Sequence, residues 1–215
     1  MDVEAALAHL RKSDPVLAVL IEQNPNLDRR AWMKALPKMD AFGVLIFQVA
    51  GQQLSIPATR SILARLAKLF GGRLPTPIEF LSASVDNLRA TGMSRRKIET
   101  LRAVSERFAS GEWREEELKK LSDQELERLL TCVKGIGPWT VQGFLMIAFD
   151  REDVVLPGDL AIRKIIRKIY GMDHLPSQQE VLQLAERWRP WRSLATGYLF
   201  QAAYGQKQDR APTDM

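Results

Sequence analysis

Gly135 and Gly137 flank Ile136 in the run Val133-Lys134-Gly135-Ile136-Gly137-Pro138-Trp139-Thr140, and a single aspartate, Asp159, closes the later run Leu156-Pro157-Gly158-Asp159. Two glycines permit a tight reversal with exposed backbone N–H groups, and a helix that starts directly after them offers its N-terminus as a seat for phosphate. Val133 and Ile136 would anchor such a hairpin, Thr140 would open the helix with outward N–H groups, and Lys134 adds a cation beside them. That set grips a phosphate without reading a base sequence. Taken alone, Gly-Ile-Gly is also what any turn between two helices looks like. Asp159 sits at the mouth of the helix begun by Leu160-Ala161-Ile162-Arg163. A carboxylate fixed there can stabilise positive charge forming on a sugar. The same signature describes an ordinary N-cap, and the two roles are compatible, because a helix N-terminus favours the ionised carboxylate.

Composition narrows the chemistry. With 215 residues the chain can bury a full core as one large domain or two small lobes, and its net charge of +5 tilts it mildly toward polyanions. One cysteine, Cys132, excludes an internal disulfide framework, an all-cysteine metal site and a four-thiolate iron–sulfur cluster. Cys132 lies in an apolar stretch and reads as a small core residue. The two histidines, His9 and His174, have no paired ligand spacing, so no metal and no other cofactor is expected. Neither a signal-peptide pattern nor a run long enough to span a membrane is visible, which points to an intracellular protein with no membrane partner.

The elements that must position these residues read as helices throughout. Asp14-Pro15 opens one, Phe42 to Gln53 is a second, and Ser55-Ile56-Pro57 starts a third that Gly71-Gly72 ends. Thr76-Pro77-Ile78-Glu79, Ser122-x-x-Glu125 and Ser177-x-x-Glu180 carry the spacing of capping boxes, and Ser94 caps a helix that runs to Ala109. No segment alternates with period two. The expectation is an all-α fold of about ten helices, with a polar, frayed tail over 205–215.

The run Val133 to Thr140 followed by Leu156-Pro157-Gly158-Asp159 resembles the helix-hairpin-helix base-excision DNA glycosylases, and within them the alkylation-repair branch, the 3-methyladenine DNA glycosylase II family. Gly51-Gln52-Gln53-Leu54-Ser55, Gly92-Met93-Ser94 with Lys97, and Trp188-Arg189-Pro190-Trp191-Arg192-Ser193 resemble that branch in the right order. The chain resembles its compact form, without the N-terminal β domain. The resemblance implies two helical lobes with a DNA-binding cleft between them: lobe A about 42–150, including the hairpin 133–139, and lobe B about 1–41 plus 151–204. It implies a monomeric enzyme acting on damaged double-stranded DNA, in the cytoplasm or nucleoid of a prokaryote or the nucleus of a eukaryote.

Site residues follow from the same resemblance. Asp159 matches the catalytic aspartate, and the hairpin residues Lys134, Gly135, Gly137 and Thr140, with Arg163 and Lys164 after the active loop, are the DNA contacts. Relatives that also nick the strand carry a lysine two positions after the second hairpin glycine, where this chain has Trp139. A monofunctional enzyme, leaving an abasic site, is therefore implied. Alkylated purines carry positive charge that aromatic faces attract, and Trp139, Phe42, Phe47, Tyr198 and Phe200 are the candidates for the base pocket. Core packing is the competing role for each, and by the same resemblance Phe200 stands where members of that branch carry a stacking tryptophan. Gln53 falls at the position of the wedge that fills the gap left by a flipped nucleotide, with Leu54 beside it. Arg95, Arg96 and Lys97 form the densest basic cluster, while Asp150, Glu152 and Asp153 read as solvated loop residues. Two alternatives remain open: a relative excising deaminated or oxidised purines, and a non-catalytic module that uses the hairpin only to hold phosphate.

Overall fold

A computed structural model of the chain describes residues 2–205, the side chains of Trp32 and Ala35 aside. The expected frayed tail lies, except for Gly205, outside those residues. Within them the protein is all helical, with no strand. In chain order the helices are α1 (Val3–Ser13), α2 (Pro15–Gln23), α3 (Ala41–Gly51), α4 (Ile56–Leu69), α5 (Pro77–Ser82), α6 (Val85–Ala90), α7 (Arg95–Ala109), α8 (Glu115–Lys120), α9 (Asp123–Thr131), α10 (Pro138–Ala148), α11 (Leu160–Ile169), α12 (Gln178–Ala185) and α13 (Arg192–Tyr204). Short 3₁₀ turns cover Ala31–Ala35 and Glu186–Trp188. The excess over ten comes from six-residue helices such as α5, α6 and α8, each one and a half turns long and too short to show a hydrophobic period of its own. Their boundaries are set by caps. Thr76, Ser122 and Ser177 each close the reciprocal box with the glutamate three residues on, satisfying two orphan N–H groups apiece.

The chain folds as two compact units, one formed by Trp32–Asp150 and the other by both chain ends, up to Ala31 and from Arg151 onward. The boundary falls at residue 31/32 rather than near 41. The start of α3 is held by its own unit: the Ala41 N–H donates to Glu115 Oε2 of α8 at 2.9 Å.

In the central unit α3 is apolar all round because it is covered on several sides, by α4, α7 and α10. Phe42, Leu45, Ile46 and Val49 join Leu63, Leu66, Phe80, Leu101, Val104 and Phe144 in this core. In the other unit α11 packs on α13, and α2 packs on both α1 and α13. Helix α11 is sharply two-faced: Ile162, Ile165 and Ile166 are buried, each contributing about 1.5–3 kcal/mol on full burial, while Lys164, Arg167 and Lys168 face solvent.

Candidate active site

The hairpin forms between α9 and α10. Val133 and Ile136 are buried anchors, and the Ile136 N–H donates to the Val133 carbonyl at 3.0 Å. The two glycines differ. Gly135 has φ +99°, and a Cβ there would collide with Thr100 Oγ1, so this position requires glycine for the fold itself. Gly137 is extended (φ −120°, ψ 177°) and a Cβ would meet nothing within 4 Å. It caps α10 without a side chain, ahead of Pro138 in the first turn. Its carbonyl accepts from the N–H groups of Thr140 (2.9 Å) and Val141 (3.1 Å), so the outward amides expected at Thr140 are already used. The N–H groups of Gly135 and Gly137 instead donate to nothing among the described residues, and they are the donors an anion would meet. Thr140 does not offer the phosphate contact expected of it: it is buried, and its Oγ1 accepts from Gln52 Nε2 at 3.0 Å. Lys134 is exposed, and its ammonium has no partner among the described residues.

Gly51 to Leu54 form a type II turn. The Leu54 N–H donates to the Gly51 carbonyl at 3.0 Å, Gln52 has φ −51° and ψ 126°, and Gln53 has φ +59°. That last position favours glycine, yet it holds a glutamine whose side chain is exposed, and Leu54 beside it is 43% exposed. Lys97 does not join Arg95 and Arg96 at the surface. Its Nζ donates to the carbonyls of Ala50 and Gln52, both at 2.9 Å, and burial lowers its pKa below the ordinary lysine value. The side chain of Gln52 also reaches the Gly135 carbonyl at 2.9 Å. Neither contact is legible from local sequence, because the partners lie tens of residues apart.

In the unit of the chain ends, Asp159 is the N-cap of α11, and its Oδ1 accepts from the N–H groups of Ala161 (2.9 Å) and Ile162 (3.0 Å). The carboxylate is half-buried at the head of α11. Arg163 is committed to the fold: its Nε donates to the Pro176 carbonyl at 2.6 Å, whereas Lys164 is exposed. Asp153 departs from the expected solvated loop, since both Arg189 and Arg192 bind its carboxylate at 2.6 Å.

The aromatic candidates divide. Phe42 is 2% exposed and packs against Phe80 and Phe108, and Tyr198 is equally buried in the other core. Neither presents an open face, because α3 is covered by α4, α7 and α10 and α13 by α2 and α11. Trp139 and Phe47 are half-buried in the central unit. Phe200 is half-buried in the other and stacks on Tyr204, with ring centroids 6.1 Å apart and planes at 19°. Burial and, after it, the charge of Asp159 raise the Tyr204 pKa above the ordinary phenol value. Tyr204 was missed in the sequence because it stands at the last turn of α13, beyond the recognisable motifs. Cys132 is exposed rather than in the core: it lies two residues past the buried Leu130, on the opposite side of the helical turn. Among the described residues no group of His, Cys, Asp or Glu has the arrangement of a metal site, and no helix is long and apolar enough to cross a membrane.

Comparison with known proteins gives consistent results. Residues 46–190 match the family of HhH-GPD superfamily base excision DNA repair proteins. DNA-3-methyladenine glycosylase 1 of Schizosaccharomyces pombe is 35% identical over 172 residues, covering 79% of this chain and 75% of that protein. DNA-3-methyladenine glycosylase 2 of Escherichia coli is 30% identical over 169 residues, 73% of this chain but 56% of that longer protein. The solved structure of the S. pombe 3-methyladenine DNA glycosylase in complex with abasic DNA superimposes with a TM-score of 0.84 at 34% identity, over 92% of this chain and 95% of that one.

Proposed function

Because the chain belongs to the HhH-GPD superfamily of base excision DNA repair proteins, we propose that it is a monofunctional DNA glycosylase that excises alkylated purines of the 3-methyladenine and 7-methylguanine type from double-stranded DNA and leaves an abasic site. The observation that carries this reading is Asp159, a carboxylate oriented by two backbone N–H groups at the head of α11. Departure of the base leaves an oxocarbenium-like sugar, and a preoriented carboxylate stabilises that charge without reorganising during the step. It also positions the attacking water, which forms the C1′–O bond and gives up a proton to the carboxylate or to bulk water, while the base leaves with the glycosidic electron pair. A purine made cationic by alkylation is already a good leaving group, so no separate general acid is required.

The remaining residues serve delivery. The N–H groups of Gly135 and Gly137, with Lys134, hold a backbone phosphate independent of sequence. Gln53 or Leu54 fills the space of the extruded nucleotide. Trp139, Phe47 and Phe200 are the proposed faces for the cationic base, with Lys164 as an outlying phosphate contact. The S. pombe and E. coli relatives named as 3-methyladenine glycosylases support the substrate class. The protein acts as a monomer in this reading.

The test is release of free base from methylated duplex DNA, followed by strand cleavage with and without alkali. Release with breakage only after alkali supports a monofunctional enzyme. With Trp139 in place of the strand-nicking lysine, borohydride is expected to trap no covalent complex with damaged DNA. A trapped adduct on a denaturing gel would overturn that part of the reading and direct attention to Lys134. A protein that binds the duplex but releases no alkylated base would instead be the non-catalytic module.

A further inference from the structure

Lys97 and Thr100 lie one turn apart on the same face of α7 and grip two different loops. The Lys97 ammonium holds the carbonyls of Ala50 and Gln52, the end of α3 and the start of the Gln53 turn. The Thr100 hydroxyl shares its proton between the Lys134 carbonyl of the hairpin at 2.9 Å and the Arg96 carbonyl of its own helix at 3.0 Å. The Gln52 amide spans the two loops directly, donating to the Gly135 carbonyl at 2.9 Å and the Thr140 hydroxyl at 3.0 Å. These contacts close a ring: α7 to turn, turn to hairpin, hairpin to α7. A lysine capping the C-terminus of a preceding helix would need only the Ala50 and Gln52 carbonyls. The Gln52 amide contacts go beyond that cap, and they adjoin Gln53, which is kept in a left-handed conformation that its side chain disfavours.

We infer that Lys97 and Gln52 are positioning residues that fasten the Gln53 turn to the phosphate-gripping hairpin, so that a phosphate held by Gly135 and Gly137 fixes where the plug enters the duplex. This rests on the glycosylase reading above. A closed polar ring resists distortion, and removing one member leaves partly buried partners unpaired and frees both loops. Two loops that move independently would still bind phosphate, but would present the plug out of register with the nucleotide to be extruded.

The experiment uses the full chain with Lys97→Met and Gln52→Ala, and Lys97→Arg as the conservative variant that can still reach both carbonyls. Amide hydrogen exchange without DNA reads the ring itself. Faster exchange is expected in both segments 51–55 and 134–137 for each of the two disruptive variants, with Lys97→Arg close to wild type. Exchange that changes in one segment only overturns the coupling. Single-turnover release of alkylated base then reads the consequence. On a matched duplex Lys97→Met is expected to lose about tenfold or more in rate, in line with the effect of misplacing a catalytic element. On a mismatched duplex, where extrusion is easier, the loss is expected to shrink to about threefold or less. Affinity for undamaged duplex should stay within about twofold, since phosphate contacts dominate it. An equal loss on both substrates marks general damage to the fold and overturns the inference. If Lys97→Met does not fold, Gln52→Ala carries both measurements, because the lysine cap is intact in it. A wild-type protein that releases no base overturns the glycosylase reading and the plug with it, whereas an active wild type with uncoupled exchange overturns the ring alone.

Discussion

Replacing Asp159 by asparagine separates the two roles its side chain combines. Asparagine caps a helix about as well as aspartate, so stability is expected to stay within about 0.5 kcal/mol. The charge that would face a sugar cation is lost, and base release should fall by two or more decades, roughly 3 kcal/mol of transition-state stabilisation. Near-normal release of 3-methyladenine by a folded Asp159→Asn would end the assignment. The two hairpin glycines can be separated in the same way. Gly135→Ala meets both a left-handed φ and the Thr100 hydroxyl, and should cost about 2–5 kcal/mol in stability. Gly137→Ala should fold normally, since its backbone is extended and its surroundings open. Any loss of affinity by Gly137→Ala, equal on damaged and undamaged duplex, then reports a ligand approaching from outside. A folded Gly137→Ala with unchanged affinity for both duplexes would reduce that glycine to a spacer. In the sequence the two look equivalent; only the backbone angles and the position of Thr100, far away in the chain, tell them apart.

At the scale of elements, what was legible followed the range of the interaction. The capping boxes at Thr76, Ser122 and Ser177 are complete within four residues and could be read directly. The sequence marks Arg163 and Thr140 as DNA contacts and Lys97 only as part of a basic cluster, because their partners, Pro176, Gln52 and the end of α3, belong to other elements. The Gln53 turn is intermediate: its residues marked it as a break, but not as a type II turn with glutamine at the glycine position. That strain gives a test. Gln53→Gly relieves it and should raise stability by up to about 1 kcal/mol, while removing the plug. Gln53→Ala keeps the strain and also removes the plug. Both should slow excision from duplex more than from single strands, which leave no gap to fill. Leu54→Ala is the companion, since its side chain is also exposed on the same turn. Thermal melts and single-turnover rates on both substrates decide the case; an unchanged duplex-to-single-strand ratio in all three variants would move the plug elsewhere in the fold.

At the scale of the whole molecule, one of the two units is assembled from both ends of the chain, and beside their shared apolar core one polar contact between those ends is a buried carboxylate. Asp14 announced itself in the sequence only as the start of a helix, through Pro15. In the structure its Oδ1 caps α2, accepting from Val16 and Leu17, while its Oδ2 accepts from the Tyr170 hydroxyl at 2.7 Å and from Trp188 Nε1 at 2.8 Å. It is 0% exposed. The local half of its role was readable, and the half that ties residue 14 to residues 170 and 188 was not, since no periodicity encodes it. Asp14→Ala leaves several buried donors unpaired at once and should cost about 3 kcal/mol or more. Asp14→Asn is the sharper variant. An amide oxygen can still cap α2, but its NH₂ then faces the indole N–H, which can only donate. Asn should therefore lose about 2 kcal/mol despite being an excellent cap, with amide exchange speeding up in α11 and α13 more than in α3 or α10. Urea unfolding of the two variants, with exchange mapped along the chain, checks both points. An Asp14→Asn protein as stable as wild type would reduce Asp14 to a cap and leave the union of the chain ends to the apolar packing of α2 on α13.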